Sequence, residues 1–599
     1  MSEPHGRSRS RRSSGRRRRQ KWVKRGLVAL PFLVLLGLVW VAFSAWTVRG
    51  DLTEARSAAA RLEQALRDQD ATAAESELAA LQEHSNRAAD WTDGPTWAVL
   101  GWTPVWGGDA KAIRLMSDAL AEVAGDGLSP LVGALSDLEA GRFDPEAGRV
   151  PLDELERLAP GLDDSQTSFE RADDLLAQVE PSGRVGLIQD ARGQLSDAVD
   201  EGLDRLGPVR RAVRLMPPML GAEGERRYLL VLQNNAEIRS TGGFPGSTFQ
   251  LSANDGQIDL IEPVSGNTFD FLEPPGLPLG EQERALYTDR AATRFVDANF
   301  IPDFPQAADL MRARYEQRFD TELDGVIAAD PVLLSYLLQD ADPIEVRGVS
   351  LTSDNVVQEL LSGTYARYED PAVQDEFFRE AGTKAFSALT GDVDPASLID
   401  GLRRGVAEGR VMVTSTREDE QDALAEAGIT GALEPDPEVT TLGVYVNDTT
   451  STTGSKLSYY LDYDATARER SCNGGRAVID ASMRLSAPFP GDPAALPAYV
   501  TAGSRDTVAG AQGLTLFLLG PQAGTIEDVR LDGQPVGTSP IEGDGRPGVR
   551  VETVLAPNAS TELTWAVRTG RLRSIDVVLD VTPGVQPEDK SSSLELSCG

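Results

Sequence analysis

At 599 residues the chain is too long for one hydrophobic core, so three or more folded units are expected. A formal net charge of −35 excludes a nucleic-acid-binding body, which needs a basic face. Only two histidines occur, His5 and His84, so a Ser-His-Asp triad, a Cys-His dyad or a histidine-rich zinc site is excluded beyond the first part of the chain.

Residues 1–25 hold eleven Lys and Arg (Arg7, Arg9, Arg11, Arg12, Arg16 to Arg19, Lys21, Lys24, Arg25) against one acid, Glu3, and read as a disordered basic tail. The rest of the chain then carries about −45, which favours solubility or cation binding. Residues 26–48 are uncharged throughout. As a helix they span about 34 Å, enough for a hydrocarbon core of about 30 Å. The positive-inside rule places the tail in the cytoplasm, so a single-pass cell-membrane protein with an extracytoplasmic bulk is expected. Trp22 suits the inner interface and Trp40 and Trp46 the outer one. The alternative is a signal peptide cleaved near Ala42 to Ala45, but 23 residues exceed the usual apolar region of about 7–15.

Residues 49–218 read as a helical stalk or bundle. Leu52, Ala55, Ala59, Leu62 and Leu66 recur at three- and four-residue steps, and Leu78 and Leu81 extend the series. The pattern returns with Ile113, Met116, Leu120 and Val123, and again with Phe169, Ala172, Leu176 and Val179. Trp91, Trp97, Trp102 and Trp106 fall in a turn-rich stretch. Packing within the bundle is the leading expectation for them, and a carbohydrate-stacking face the alternative.

Residues 219–416 predict an α/β layer domain, because strands interleave with helices. Residues 228–232 form an apolar run that fits a buried strand. The segments 247–251 and 257–261 flank Asn254-Asp255-Gly256, a hairpin signal, since Asp-Gly accepts positive φ. A helix is expected from Asp303, with Pro305 in its first turn, then a strand at 324–328 and a helix over 331–338. A short strand at 344–346 and helices over 353–361, 371–389 and 396–408 follow. Residues 417–440 are acidic, contain Pro435 and Pro437, and read as a linker.

From 441 to 599 helical periodicity fades and Thr, Val, Gly and Pro rise. Strands at 442–446, 457–463, 477–485, 514–518, 549–554, 561–567 and 574–581 have the spacing of a β-sandwich. The fold class is thus multidomain α+β. The only cysteines, Cys472 and Cys598, most simply form one disulfide in an oxidising compartment.

The densest polar motif is Gln233-Asn-Asn-Ala-Glu-Ile-Arg-Ser-Thr-Gly-Gly-Phe244, directly after the first strand. Arg239 offers a planar fork for phosphate, and the Gly242 and Gly243 amides could face an oxyanion. Asn235, Arg239, Gly242 and Gly243 are therefore candidate phosphate ligands. The structural alternative is a tight turn with Arg239 paired to Glu237. A second motif contains Asp297, Asn299 and Asp303, hard oxygen donors that could hold a divalent cation such as magnesium through Asp297 and Asn299. Turn formation and a helix cap at Asp303 is the leading alternative there.

These motifs, with Pro302-Asp-Phe-Pro305 and Asp324-Gly-Val-Ile-Ala-Ala-Asp-Pro331, closely resemble the bacterial domain-of-unknown-function family 4012 of the actinobacterial type, over about residues 221–365. The order of elements is more distantly similar to the LytR-CpsA-Psr phosphotransferases, which attach glycopolymers from polyprenyl-pyrophosphate carriers. Their Arg-Ser-Asp-Thr motif also follows a strand, as Arg239-Ser-Thr does here. The Asp is missing after Ser240, and Ser265-Gly-Asn-Thr268 stands where a second Arg-Asp motif would be. The resemblance implies binding or transfer of a lipid-pyrophosphate-linked cell-envelope glycan, with a glycopolymer phosphotransferase-like activity if the chain is an enzyme. The alternative is a non-catalytic envelope scaffold or adhesion-type protein whose partners are other envelope proteins.

Overall fold

Apolar residues at helical spacing build the first of two compact units, Met1–Arg142 with Glu154–Val213. The computed structural model describes residues 14–599 except 105, 143–148, 180–185, 262, 270, 272–276, 392, 434–438, 451–453, 498, 502–507, 539–540, 544–545, 573, 588–589 and 599. Side chains are described from Trp40 onward, save those of 187, 267, 395–396 and 541–543. The helices are α1 (Ser14–Arg67), α2 (Ala71–Thr92), α3 (Pro95–Leu100), α4 (Gly107–Glu122), α5 (Ser129–Glu139), α6 (Leu152–Ala177) and α7 (Gly186–Met219). Helix α2 starts where the Asp70 side chain accepts the Ala73 N–H, satisfying one donor that the first turn leaves open. Ala55, Ala58 and Leu62 of α1 pack on Ala74, Leu78 and Leu81 of α2, and the alanines let the two backbones approach closely. Met116, Phe169, Ala172, Leu176 and Val199 make a second core. Of the four expected bundle tryptophans, Trp97 is buried and Trp91 packs beside it, whereas Trp102 is 91% exposed and Trp106 is also exposed. Bundle packing therefore accounts for only two of them.

The expected membrane anchor is not supported. Among the described residues no helix is long and apolar enough to cross a membrane. The described part of α1 meets Arg49, Asp51, Glu54 and Arg56 soon after Trp40, and these charges break its apolar run. The transmembrane helix at 26–48, the single-pass topology and the membrane localisation with an extracytoplasmic bulk are corrected accordingly. Side chains 26–39 lie outside the described residues. So do residues 1–13 of the tail expected to be disordered, whereas from Ser14 the chain is part of α1.

The second unit comprises Phe143–Asp153 and Arg214–Gly599. Its first part holds β1 (Arg226–Asn234), β2 (Phe244–Asn254), β3 (Gln257–Leu260), β4 (Val264–Ser265), β5 (Gly325–Ala329), β6 (Ile344–Val346), β7 (Val349–Leu351) and β8 (Val411–Ser415). Strand order in the main sheet is β3-β2-β1-β5-β8, with β4 on β2; β1 and β5 are parallel, and β6 and β7 form a separate hairpin. Asp255 and Gly256 both take positive φ, 49° and 77°, as a tight hairpin between β2 and β3 requires.

Helices α8 (Glu281–Tyr287), α9 (Arg290–Thr293) and α10 (Phe304–Phe319) precede β5. After it come α11 (Pro331–Leu337), α12 (Val356–Gln358), α13 (Thr364–Arg367), α14 (Pro371–Leu389), α15 (Pro395–Ala407) and α16 (Glu418–Glu426). An aspartate caps α10, α11, α14 and α15 in turn (Asp303, Asp330, Asp370, Asp394), each with proline in the first turn, where its missing N–H costs nothing. Helix α10 covers one sheet face, with Ala308, Met311 and Tyr315 on Leu229, Val231, Val326 and Ala328. Helix α14 lies against the other face, where Gly382 has no side chain and Phe249 comes close.

Residues 417–440, expected as a linker, instead carry α16, whose Glu420 and Leu424 are buried; Glu420 accepts from Arg226 at 2.6 Å. Pro435 and Pro437 lie outside the described residues. The remainder is a sandwich of β9 (Thr440–Asp448), β10 (Asp462–Asn473), β11 (Arg476–Ser486), β12 (Gln512–Leu519), β13 (Thr525–Leu531), β14 (Gln534–Pro535), β15 (Ile541–Gly543), β16 (Arg546–Leu555), β17 (Ser560–Arg568), β18 (Asp576–Val581) and β19 (Ser592–Glu595). One sheet runs β10-β11-β17-β13-β14 and the other β15-β16-β12-β9-β18-β19. Alternating residues of both sheets, among them Val444, Leu516, Ile479 and Trp565, meet in one core. Cys472 and Cys598 are disulfide-bonded, closing the last strand's end onto β10. Tyr445, Phe517 and Leu519 point the opposite way and join the core of the α/β part. The fold is therefore mixed α+β, with α/β layers and sandwich in one unit.

Candidate functional site

The Gln233-to-Phe244 motif leaves β1 and returns as β2, so its place is the end of the sheet. Its residues from Asn235 to Gly243 are all buried. The backbone accounts for much of this. The Asp448 N–H donates to Ile238 O at 2.9 Å, and the Ser458 N–H to Ala236 O at 3.0 Å. The Ile238 side chain enters the core of the sandwich. The loop is thus paired with, and plugged into, the β-domain.

Arg239 is 4% exposed. It donates through Nη2 to Glu237 Oε1 at 2.6 Å and through Nη1 to the carbonyls of Asp448 (2.9 Å) and Ile238 (3.2 Å). Its guanidinium lies over the Phe300 ring at 4.6 Å. Glu237 accepts at its other oxygen from Lys456 Nζ at 2.7 Å. Burial opposes ionisation of Glu237, yet the Lys456 ammonium and the Arg239 guanidinium outweigh it and hold the carboxyl below its ordinary range. Burial also disfavours charge on Lys456, but Glu237 more than offsets this and raises its pKa. One carboxylate therefore bridges two cations inside the protein.

The glycines serve closeness. A Cβ on Gly243 would fall 2.4 Å from the Asn234 carbonyl carbon, so no side chain fits. Gly242 takes φ +128°, a conformation L residues rarely adopt. The Gly243 N–H donates to Gln233 Oε1 at 2.9 Å, and the Gly242 N–H to Arg239 O at 2.8 Å. Both amides expected to face an oxyanion are satisfied within the loop. Ser240 Oγ donates to Phe300 O at 2.8 Å and accepts from Asn447 at 2.8 Å, so it has no base to activate it.

Asn235 donates to Asp330 Oδ2 at 3.0 Å, and Arg410 donates to the same oxygen at 3.0 Å. Burial pushes the Asp330 carboxyl up against the pull of Arg410. Arg410 also donates to Gly584 O (2.9 Å) and Gln586 O (2.6 Å), a second tie between the α/β part and the sandwich.

The second motif joins the same cluster. Asp297 Oδ2 takes Arg290 at 2.8 Å and Arg294 at 3.1 Å, while Oδ1 lies 3.9 Å from Arg239. Asn299 donates to Gly243 O at 2.6 Å. Flanked by guanidiniums, this pair does not fit a divalent cation, and among the described residues no group of three or more His, Cys, Asp or Glu could hold a metal. Asp303 caps α10, accepting from Gln306 N at 3.1 Å, and also accepts from Leu433 N at 2.8 Å.

The structure therefore brings together Asn235, Arg239, Gly242, Gly243, Asp297 and Asn299, but inside the protein. It adds Lys456, Asp448, Asn447, Asp330 and Arg410, which the sequence reading missed. Lys456 had one faint signal: it is one of only six lysines.

Residues 223–365 match the family described as protein of unknown function (DUF4012), a stretch that runs from the approach to β1 into α13 and includes the whole loop. No curated protein and no solved structure matches the chain.

Proposed function

We propose that the chain is a non-catalytic scaffold or adhesion-type protein in which the Arg-Gly-Gly loop is the joint between an α/β domain and a β-sandwich. The observation that carries this reading is the enclosure of Arg239. Its charge is met by Glu237 at 2.6 Å, and its second nitrogen is bound to Asp448 of the sandwich. A phosphate at this place would have to displace Glu237 from two cations and reach a guanidinium buried between domains. Separating a buried charge pair costs about 3–5 kcal/mol, before any ligand contact is made. The missing second Arg-Asp motif agrees with the same reading.

Binding or transfer of a lipid-pyrophosphate-linked glycan is the competing function, and calorimetric titration of the full chain separates the two. The probes are inorganic pyrophosphate and farnesyl pyrophosphate, with and without magnesium. No saturable heat is expected for either. Saturable binding that weakens in Arg239→Lys, a variant that keeps the charge and loses the planar fork, overturns the scaffold reading.

A further inference from the structure

Outside the joint, the seam between α13–α14 and the segment joining β11 to β12 opens as a cleft of about 340 Å³ lined by Tyr365, Tyr368, Glu369, Gln374, Pro497 and Tyr499. Three of the six are tyrosines. Their rings are held in place: Tyr365 packs on Phe378 at 5.6 Å between centroids, and Tyr368 on Phe377 at 5.9 Å. Tyr499 stands 6.0 Å from Tyr365 with the ring planes inclined by 40°, and is 43% exposed at the rim. Tyr365 is buried, Tyr368 is half-buried and Tyr499 is exposed, so the last two offer ring surface, and a ring already held in place loses little freedom when a ligand stacks on it.

The charges around the cleft select the ligand. Lys456 Nζ sits 5.7 Å from both the Tyr365 and Tyr499 rings, on their buried side. It occupies the place that a ligand cation would seek beside those two rings. An anion would meet the exposed Glu369 and a chain of net charge −35. A neutral ligand remains. The Gln374 amide nitrogen donates to Tyr368 O at 2.7 Å, so its carbonyl oxygen, like the Glu369 carboxylate, presents an acceptor. Acceptors need donors when they lose water. A proline-rich peptide lacks backbone N–H groups and would leave them unpaired, whereas a sugar brings several hydroxyl donors and an apolar C–H face for the rings.

We propose that this cleft binds a neutral saccharide, stacked on Tyr499 and Tyr368 and hydrogen-bonded through Glu369 and Gln374. The inference goes beyond the scaffold reading and does not depend on it. The test is saturation-transfer NMR on the full chain with maltohexaose, cellohexaose, mannohexaose and chitohexaose, and with a decaproline peptide for comparison. At least one hexasaccharide should bind saturably. Tyr499→Ala should weaken that binding at least about tenfold, a change of about 1.4 kcal/mol. Tyr499→Trp should retain it, and both variants should keep a cooperative melting transition, which separates lost binding from lost folding. Failure of all four sugars to bind, equal binding by Tyr499→Ala, or binding of decaproline alone would overturn the proposal.

Discussion

Removing the Arg239 side chain is the sharpest perturbation of the joint. Arg239→Ala deletes the 2.6 Å contact to Glu237, the hydrogen bonds to the Asp448 and Ile238 carbonyls, and the stacking over Phe300. Glu237 keeps Lys456, so the carboxylate is not left alone. What is lost is one buried partner of a three-charge bridge, for which a cost of about 3–5 kcal/mol is appropriate. The unit that contains the joint has roughly 400 residues, giving a melting entropy of about 0.8 kcal/mol/K and a fall in melting temperature of about 4–6 °C. Differential scanning calorimetry measures it directly. Arg568→Ala is the control: its pair with Glu527 is exposed on both sides, and such pairs contribute little to stability. If Arg239→Ala melts within 1 °C of the parent, as the control should, the bridge does not hold the domains together and the reasoning fails.

Three further outcomes follow from the same geometry. A carboxyl held below its unfolded pKa stabilises the fold above that value and loses the contribution as pH falls through the lowered folded one. The melting-temperature gap between the parent and Glu237→Gln should therefore be full at neutral pH and shrink below the ordinary glutamate value of 4.5; a gap that widens in acid would contradict this. Gly243→Ala should destabilise by about 1–3 kcal/mol or more in urea titration, because its Cβ meets backbone at 2.4 Å, whereas Gly246→Ala, which meets only a phenylalanine ring at 3.4 Å, should cost far less. Replacing both Cys472 and Cys598 by serine reopens a loop of 126 residues, for which chain entropy predicts about 5 kcal/mol; an unchanged denaturation midpoint would show that the bond adds nothing.

Much of the architecture was legible because its signals are local. The apolar run 228–232, the Asp255-Gly256 turn and the Asp-Pro helix starts each act within a few residues, and β1, the β2–β3 hairpin and α10, α11, α14 and α15 appear where they point. The spacing of strand-like segments in the last third, where Thr, Val, Gly and Pro rise, likewise points to the sandwich. The pairing of Arg239 with Glu237, the alternative reading of the motif, is what the structure shows, but the loop's role as a joint was not legible, because its other partners are distant in the chain: Asp448 lies 209 residues from Arg239, and Lys456 lies 219 from Glu237. Nothing in the motif separates an arginine aimed at phosphate from one aimed at a carbonyl of another domain. Arg410, bound to Asp330, Gly584 and Gln586, was missed for the same reason. The apolar segment at 26–48 misled differently, by suggesting a membrane helix that no described helix supplies.

Hydrogen exchange at the loop tests the joint most directly. The Ser240 N–H is bonded to Asn447 Oδ1 at 2.9 Å, the Phe244 N–H to Glu237 O at 2.9 Å, and the Asp448 N–H to Ile238 O at 2.9 Å. These amides should exchange as slowly as those in the centres of β9 and β12, and adding pyrophosphate should leave their rates unchanged. Rapid exchange in the free protein that slows when pyrophosphate is added would mean a ligand loop, and would contradict the account.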